Sequence, residues 1–154
     1  MTKIKKILFP TDFSKYSDYA LQYAVSIASA LKAKLYILHV IEHARQQDYF
    51  LVLTLTFEEI EDKLMEEAQK NIGKLLSKNI TQEIEFETSI KSGTPFVEII
   101  RAAKQENIDL IVMGSHGRSG ISEILIGSVA ERVMRKAPCP VLVVKPKDFK
   151  FVMP

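Results

Sequence analysis

Cysteine is nearly absent from this 154-residue chain: Cys139 stands alone. A lone thiol excludes an internal disulfide and points to a reducing compartment. Charge of one sign is also scarce, since 21 Lys and Arg against 19 Asp and Glu leave a net +2. With the basic residues dispersed, nucleic acid is not an expected partner. Long apolar runs are missing. No apolar stretch of the secretory kind follows Met1-Thr-Lys-Ile-Lys-Lys6, so no such signal is expected. The segment Phe50-Leu-Val-Leu-Thr-Leu-Thr-Phe57 is too short to span a bilayer. The expectation is a soluble, cytoplasmic protein without a membrane partner. Three histidines and one cysteine show no metal-ligand spacing. Two common phosphate-loop fingerprints are missing as well. No G-x-x-x-x-G-K-[ST] occurs, which excludes a P-loop NTPase. Gly114-x-x-Gly117-x-x-Gly120 differs from G-x-G-x-x-G and follows a late strand, so a nicotinamide or flavin dinucleotide fits poorly.

What is present is a regular alternation of strand-like and helix-like segments. Hydrophobic residues make up 47 % and charged residues 26 %, as in an ordinary globular domain. One domain is expected over residues 1–146, with 147–154 as a tail. A first strand is expected over Ile4–Phe9, stopped by Pro10. A helix follows over 14–32, capped by Ser14 or Ser17, with Ala20, Leu21, Ala24, Ile27, Ala28 and Leu31 on one face. Leu35–Val40 reads as the second strand. Phe57–Lys78 reads as a long helix with Phe57, Ile60, Leu64, Ala68, Ile72 and Leu75 as its apolar stripe. Ile84, Phe86, Thr88 and Ile90 alternate with Glu83, Glu85 and Glu87, so the third strand has one wet face. Thr94-Pro95 reads as a cap followed by proline at the first helical position. Asp109–Met113 is the fourth strand. Ser128–Lys136 is the fourth helix, with Ser128 and Glu131 as a capping box. Val141–Val144 is the last strand. Such alternation implies an α/β fold with a mostly parallel sheet and helices on both faces.

Ligands of open doubly wound sheets sit at the carboxyl ends of strands, where the strand order reverses. For an order of 3-2-1-4-5, that crevice lies between strands 1 and 4. Their ends are Pro10-Thr11-Asp12 and Met113-Gly114-Ser115-His116-Gly117-Arg118, followed by Gly127-Ser128 at a helix start. Glycines let backbone N–H groups approach an anion, and the helix N-terminus adds unpaired donors. Asp12 suits the N–H and O–H donors of a base or ribose. A nucleotide matches both ends. Each residue also has a plainer reading. The glycines serve as turns, Asp12 and Ser128 as caps, Arg118 as a solvated loop charge and His39 as a structural histidine. Cys139, between two prolines, reads as a packed and inert thiol.

Taken together, these motifs resemble the universal stress protein family in its ATP-binding branch. The pattern G-2x-G-9x-G-[ST] appears as Gly114, Gly117, Gly127 and Ser128. Ile7-Leu-Phe-Pro-Thr-Asp12, Leu38-His-Val40 and Ala137-Pro-Cys-Pro-Val-Leu-Val-Val144 are similar to the family's first, second and last strands. The resemblance implies a single Rossmann-like domain of the adenine nucleotide alpha hydrolase type, with five parallel strands in order 3-2-1-4-5. It implies ATP with Mg²⁺ or Mn²⁺. The adenine would lie near Pro10, Thr11, Asp12 and Val40, and the phosphates along Met113, Gly114, His116, Gly117, Arg118, Gly127, Ser128 and Val129. It also implies a homodimer. The apolar Val141–Val144 edge independently invites such pairing. The expected role is a nucleotide-dependent regulatory switch in stress response, read by an unidentified protein partner or the other subunit; the alternative is a slow ATPase or nucleotide hydrolase. No catalytic residue is assigned. Valine at 114 or 127 is expected to block phosphate and spare the fold. Residues 50–57 read either as packing over the sheet or as an exposed lid or dimer contact.

Overall fold

Strands buried on both faces carry apolar residues at consecutive positions, and β1 (Lys6–Thr11) and β2 (Lys34–Ile41) do so. Ile7 and Phe9 point into one core layer, while Leu8 points into the other. Leu35 and Ile37 split from Leu38 in the same way. The computed structural model describes residues 3–42, 56–80, 83–117 and 126–145. Its remaining elements are α1 (Lys15–Leu31), α2 (Phe57–Asn79), β3 (Phe86–Ser92), α3 (Pro95–Gln105), β4 (Leu110–Gly114), α4 (Ser128–Lys136) and β5 (Val141–Val144).

The five strands are all parallel and run in the order β3-β2-β1-β4-β5. The first core layer joins α1 and α2 to the sheet through Ala20, Leu21, Ala24 and Leu75. The second joins α3 and α4 through Ile99, Ala103, Ala130 and Val133. β1 pairs with β2 over six residues but with β4 only at Ile7 and Leu8. The sheet therefore splits beyond Leu8, on the side where the order reverses.

Several details depart from the sequence reading. β1 runs through Pro10 to Thr11 instead of stopping before it. Pro10 sits where pairing with β4 has already ended, so a residue without N–H is tolerated. Leu31 ends α1 48 % exposed, outside the buried face. In β3, Phe86, Glu87 and Thr88 are all exposed, so the strand's first half is wet on both faces. Glu85 and Glu87 there pair with Lys34 at 3.3 and 3.1 Å. Thr94 precedes α3 with Pro95 in its first turn, but its side chain makes no capping hydrogen bond. At α4 the cap is Gly127, and Ser128 is already helical, so the Ser128–Glu131 capping box does not form. Glu131 pairs instead with Arg135, one turn on. Residues 50–55 and the tail 147–154 lie outside the described residues. Thr56 caps α2, and Phe57 begins it 56 % exposed.

Candidate functional site

A cleft of about 490 Å³ opens where β1 and β4 part, within the roughly 300–1,000 Å³ range of small-molecule sites. Pro10, Thr11, Asp12, Val40, Met113, Gly114, His116, Gly117, Gly127, Ser128 and Val129 all line it. Arg118 lies outside the described residues.

The turn after β1 makes the first wall. Thr11 is buried and fully engaged. Its hydroxyl accepts from the Phe13 N–H at 3.0 Å and lies 3.1 Å from Ser17 Oγ. Its carbonyl accepts from His39 Nδ1–H at 2.8 Å, which gives His39 the structural role read from its position. Thr11 therefore shapes the wall more than it offers polar groups to a ligand. Asp12 uses Oδ1 to accept from the Ser14 N–H at 3.0 Å. Ser14 is the helix cap, accepting from the Ser17 N–H at 3.2 Å. Between them Phe13 adopts a left-handed φ of 61°, a conformation that costs a bulky residue about 1–2 kcal/mol. Its ring lies 4.3 Å from the His39 ring, so packing holds the tight turn that carries Asp12. Behind this turn, burial raises the carboxyl pKa of Asp18 above its ordinary range; Lys78 opposes the shift and Asp12 adds to it.

The turn after β4 makes the second wall, and its glycines serve close approach. Gly93 alone among the described glycines has a φ that other residues avoid. A Cβ on Gly114 would stand 3.2 Å from the Tyr16 carbonyl oxygen and 3.3 Å from that of His116. A Cβ on Gly127 would stand 3.2 Å from the Ser115 carbonyl oxygen. A Cβ on Gly117 would stand 2.9 Å from Asp12 Oδ2. Valine at 114 or 127 would thus strike main chain, and the expectation that it spares the fold is corrected. The Gly127 N–H is also consumed, donating to the Ser115 carbonyl at 2.7 Å, while the Ser115 N–H donates to Val144 at 2.9 Å.

Further donors belong to α4. Its first intrahelical bond runs from Glu131 to Gly127, and no side chain caps it. Among the described residues, nothing accepts from the N–H groups of Ser128, Val129 and Ala130. These three amides carry the positive end of the helix dipole to the cleft margin. His116 is half-buried, with Nδ1 2.8 Å from Ser115 Oγ and its ring 5.6 Å from that of Tyr16.

The third wall is absent from the sequence reading. α2 contributes Leu64, Glu67, Ala68 and Asn71, and the end of β2 contributes Glu42. The signal was present in part, because Leu64 and Ala68 belong to the apolar stripe. That a stripe serves a cleft at one end and a core at the other depends on how α2 lies across the sheet. Among the described residues, no group of three His, Cys, Asp or Glu could hold a metal ion by itself. Cys139 packs against the second core layer, away from the cleft.

Comparison with known proteins agrees with this architecture. The model of the universal stress protein family matches residues 3–145. Universal stress protein MJ0577 of Methanocaldococcus jannaschii is 37 % identical over 161 aligned residues, covering 94 % of this chain and 96 % of that protein. Its solved structure superposes with a TM-score of 0.82 at 35 % identity, over 96 % of this chain and 99 % of that one. A second universal stress protein, solved in complex with cAMP, is 25 % identical with a TM-score of 0.62, over 94 % and 98 % of the two chains. From the entrance of β1 to the end of β5 the match is continuous, and the chain belongs to the universal stress protein family.

Proposed function

We propose that this protein binds ATP in the cleft between β1 and β4, with Mg²⁺ or Mn²⁺, and works as a nucleotide-dependent regulatory switch in stress response. The observation that carries the reading is the set of amides at Ser128, Val129 and Ala130, without an acceptor among the described residues, opening on the same cleft as Asp12. The amides suit phosphate, and the carboxylate suits ribose or base donors. The relative solved with cAMP supports a nucleotide as the ligand class. A divalent cation would take most of its ligands from phosphate oxygens and water, because the described residues hold no metal cluster of their own. Asp12, whose Oδ2 lies beside Gly117, is a carboxylate of the chain itself on that cleft. A switch further requires that ATP favour one state over another.

Mg·ATP at about a hundred times its Kd is expected to add roughly 2.7 kcal/mol of stability. That raises the melting temperature by about 5–11 °C for a chain of this size. Nucleotide released on denaturing freshly purified protein is expected to be intact ATP. ADP alone would favour slow hydrolysis, and no nucleotide with no thermal shift would overturn the reading. We also propose a homodimer through β5. Among the described residues that strand has β4 on one side only, and Leu142 is 38 % exposed. Light scattering at micromolar concentration is expected to give the dimer mass, and a monomer mass would refute it.

A further inference from the structure

The order of the sheet gives the cleft two unlike flanks. β4 leads to α4 on one flank, and β2 leads to α2 on the other. The α4 flank offers N–H groups; the β2–α2 flank carries Glu42 and Glu67, both acidic and both lining the cleft. An anionic tail belongs with the amides and is repelled by the carboxylates. The uncharged end of a nucleotide therefore faces α2.

On that flank Leu64, Glu67, Ala68 and Asn71 repeat at i, i+3, i+4 and i+7, a single face of the helix. Further along, at Ile72 and Leu75, the helix is buried in the core. Asn71 is half-buried at the boundary, and among the described residues nothing hydrogen-bonds to its carboxamide. A carboxamide has two N–H donors and an acceptor oxygen, and a partly desolvated one favours a ligand that completes it.

We infer that Asn71, with Glu67 beside it, selects the base of the bound nucleotide by reading the exocyclic amino group of a purine together with the acceptor ring nitrogen N7. The inference rests on the nucleotide reading above. A carboxamide pairs with such an edge in two hydrogen bonds, accepting from the amino group and donating to the ring nitrogen, as asparagine does with adenine. A purine with an oxo group at the same position presents two acceptors, the oxo oxygen and N7, and a carboxamide turned either way sets its own oxygen against one of them. It would turn the oxo oxygen toward Glu67 and lose the match.

The test is calorimetric titration of the full chain with Mg·ATP, Mg·ITP and tripolyphosphate. ITP differs from ATP in carrying oxo for amino, and tripolyphosphate has no base. The wild-type protein is expected to prefer ATP to ITP by about tenfold or more, from the discrimination typical of a bidentate pair. Asn71→Ala is expected to weaken ATP about tenfold and to leave ITP and tripolyphosphate within about twofold. Glu67→Gln, on the more exposed position, is expected to narrow the ATP preference by less. Neither change removes a contact of the free protein's core, so unliganded melting temperatures should match. Equal wild-type affinity for ATP and ITP, or a preference unchanged in both variants, overturns the inference and leaves nucleotide binding standing. Failure of the wild-type chain to bind all three probes overturns both.

Discussion

Gly117 and Gly114 differ in what an added methyl group would meet. At Gly117 the obstacle is the tip of the Asp12 side chain, which can swing aside. At Gly114 it is the carbonyl groups of Tyr16 and His116, which cannot move without their helix and turn. Gly117→Ala is therefore expected to keep the unliganded melting temperature and to shrink the thermal shift given by Mg·ATP, because the displaced group is Asp12. Gly114→Ala is expected to cost about 1–3 kcal/mol through overpacking, lowering the melting temperature by roughly 2–12 °C. Thermal melts of both variants, with and without nucleotide, check the contrast; equal loss of stability would refute it. Cys139 yields a second test. Burial, followed by the Asp109 carboxylate, raises its thiol pKa above the ordinary range, against a smaller pull from the Ile111 backbone. The thiolate is the reactive form. Alkylation by iodoacetamide is expected to be slow at neutral pH, with its inflection above the ~8.5 of a free thiol. An inflection at or below that value would show the packed reading of Cys139 to be wrong.

Among the helices, two carry the same Ser/Thr-x-x-Glu spelling at their starts and only one builds the motif. Thr56 Oγ1 accepts from the Glu59 N–H at 3.2 Å, and Glu59 Oε2 accepts from the Thr56 N–H at 2.7 Å. At Ser128–Glu131 the preceding Gly127 is already the cap and is drawn against Ser115, so Ser128 falls inside the helix. Tertiary contact decided between identical patterns, which is why spacing alone misplaced the box. Thr56→Ala is expected to cost about 1 kcal/mol at neutral pH in a urea titration. The Thr56 N–H, then its hydroxyl, holds the Glu59 carboxyl below its ordinary range. A carboxylate with a lowered folded-state pKa contributes stability at neutral pH and loses it as acid protonates the group. The gap between Thr56→Ala and the wild-type protein should narrow on acidification through the glutamate range. The existence and type of every element were legible, because two-sided apolar strands and striped helices leave strong periodic signals. The third wall of the cleft was not: the Asn71 carboxamide looks like any polar residue on a helix until α2 is laid across the sheet.

At the scale of the whole molecule, the reversal of strand order fixes where β1 and β4 separate, and the cleft follows from that separation. Its location was legible for this reason. The division of labour among the glycines was not, since close approach and phosphate binding call for the same residue. Among the described residues, no helix is long and apolar enough to cross a membrane.

Ser115 holds two neighbours through one peptide unit on each side. Its amide ties it to Val144 on the outermost strand, and its carbonyl ties it to Gly127 at the threshold of α4. Whatever grips α4's first turn is thus two hydrogen bonds from the rim along which a second copy would add. In the proposed nucleotide-bound dimer, occupancy and self-association are then expected to be linked, and linkage works equally in both directions. Dilution to monomers should weaken ATP affinity by the same factor by which saturating ATP tightens the dimer. Sedimentation with and without nucleotide, set against titrations at two protein concentrations, measures the shared factor; a factor of one would mean that Ser115 transmits nothing.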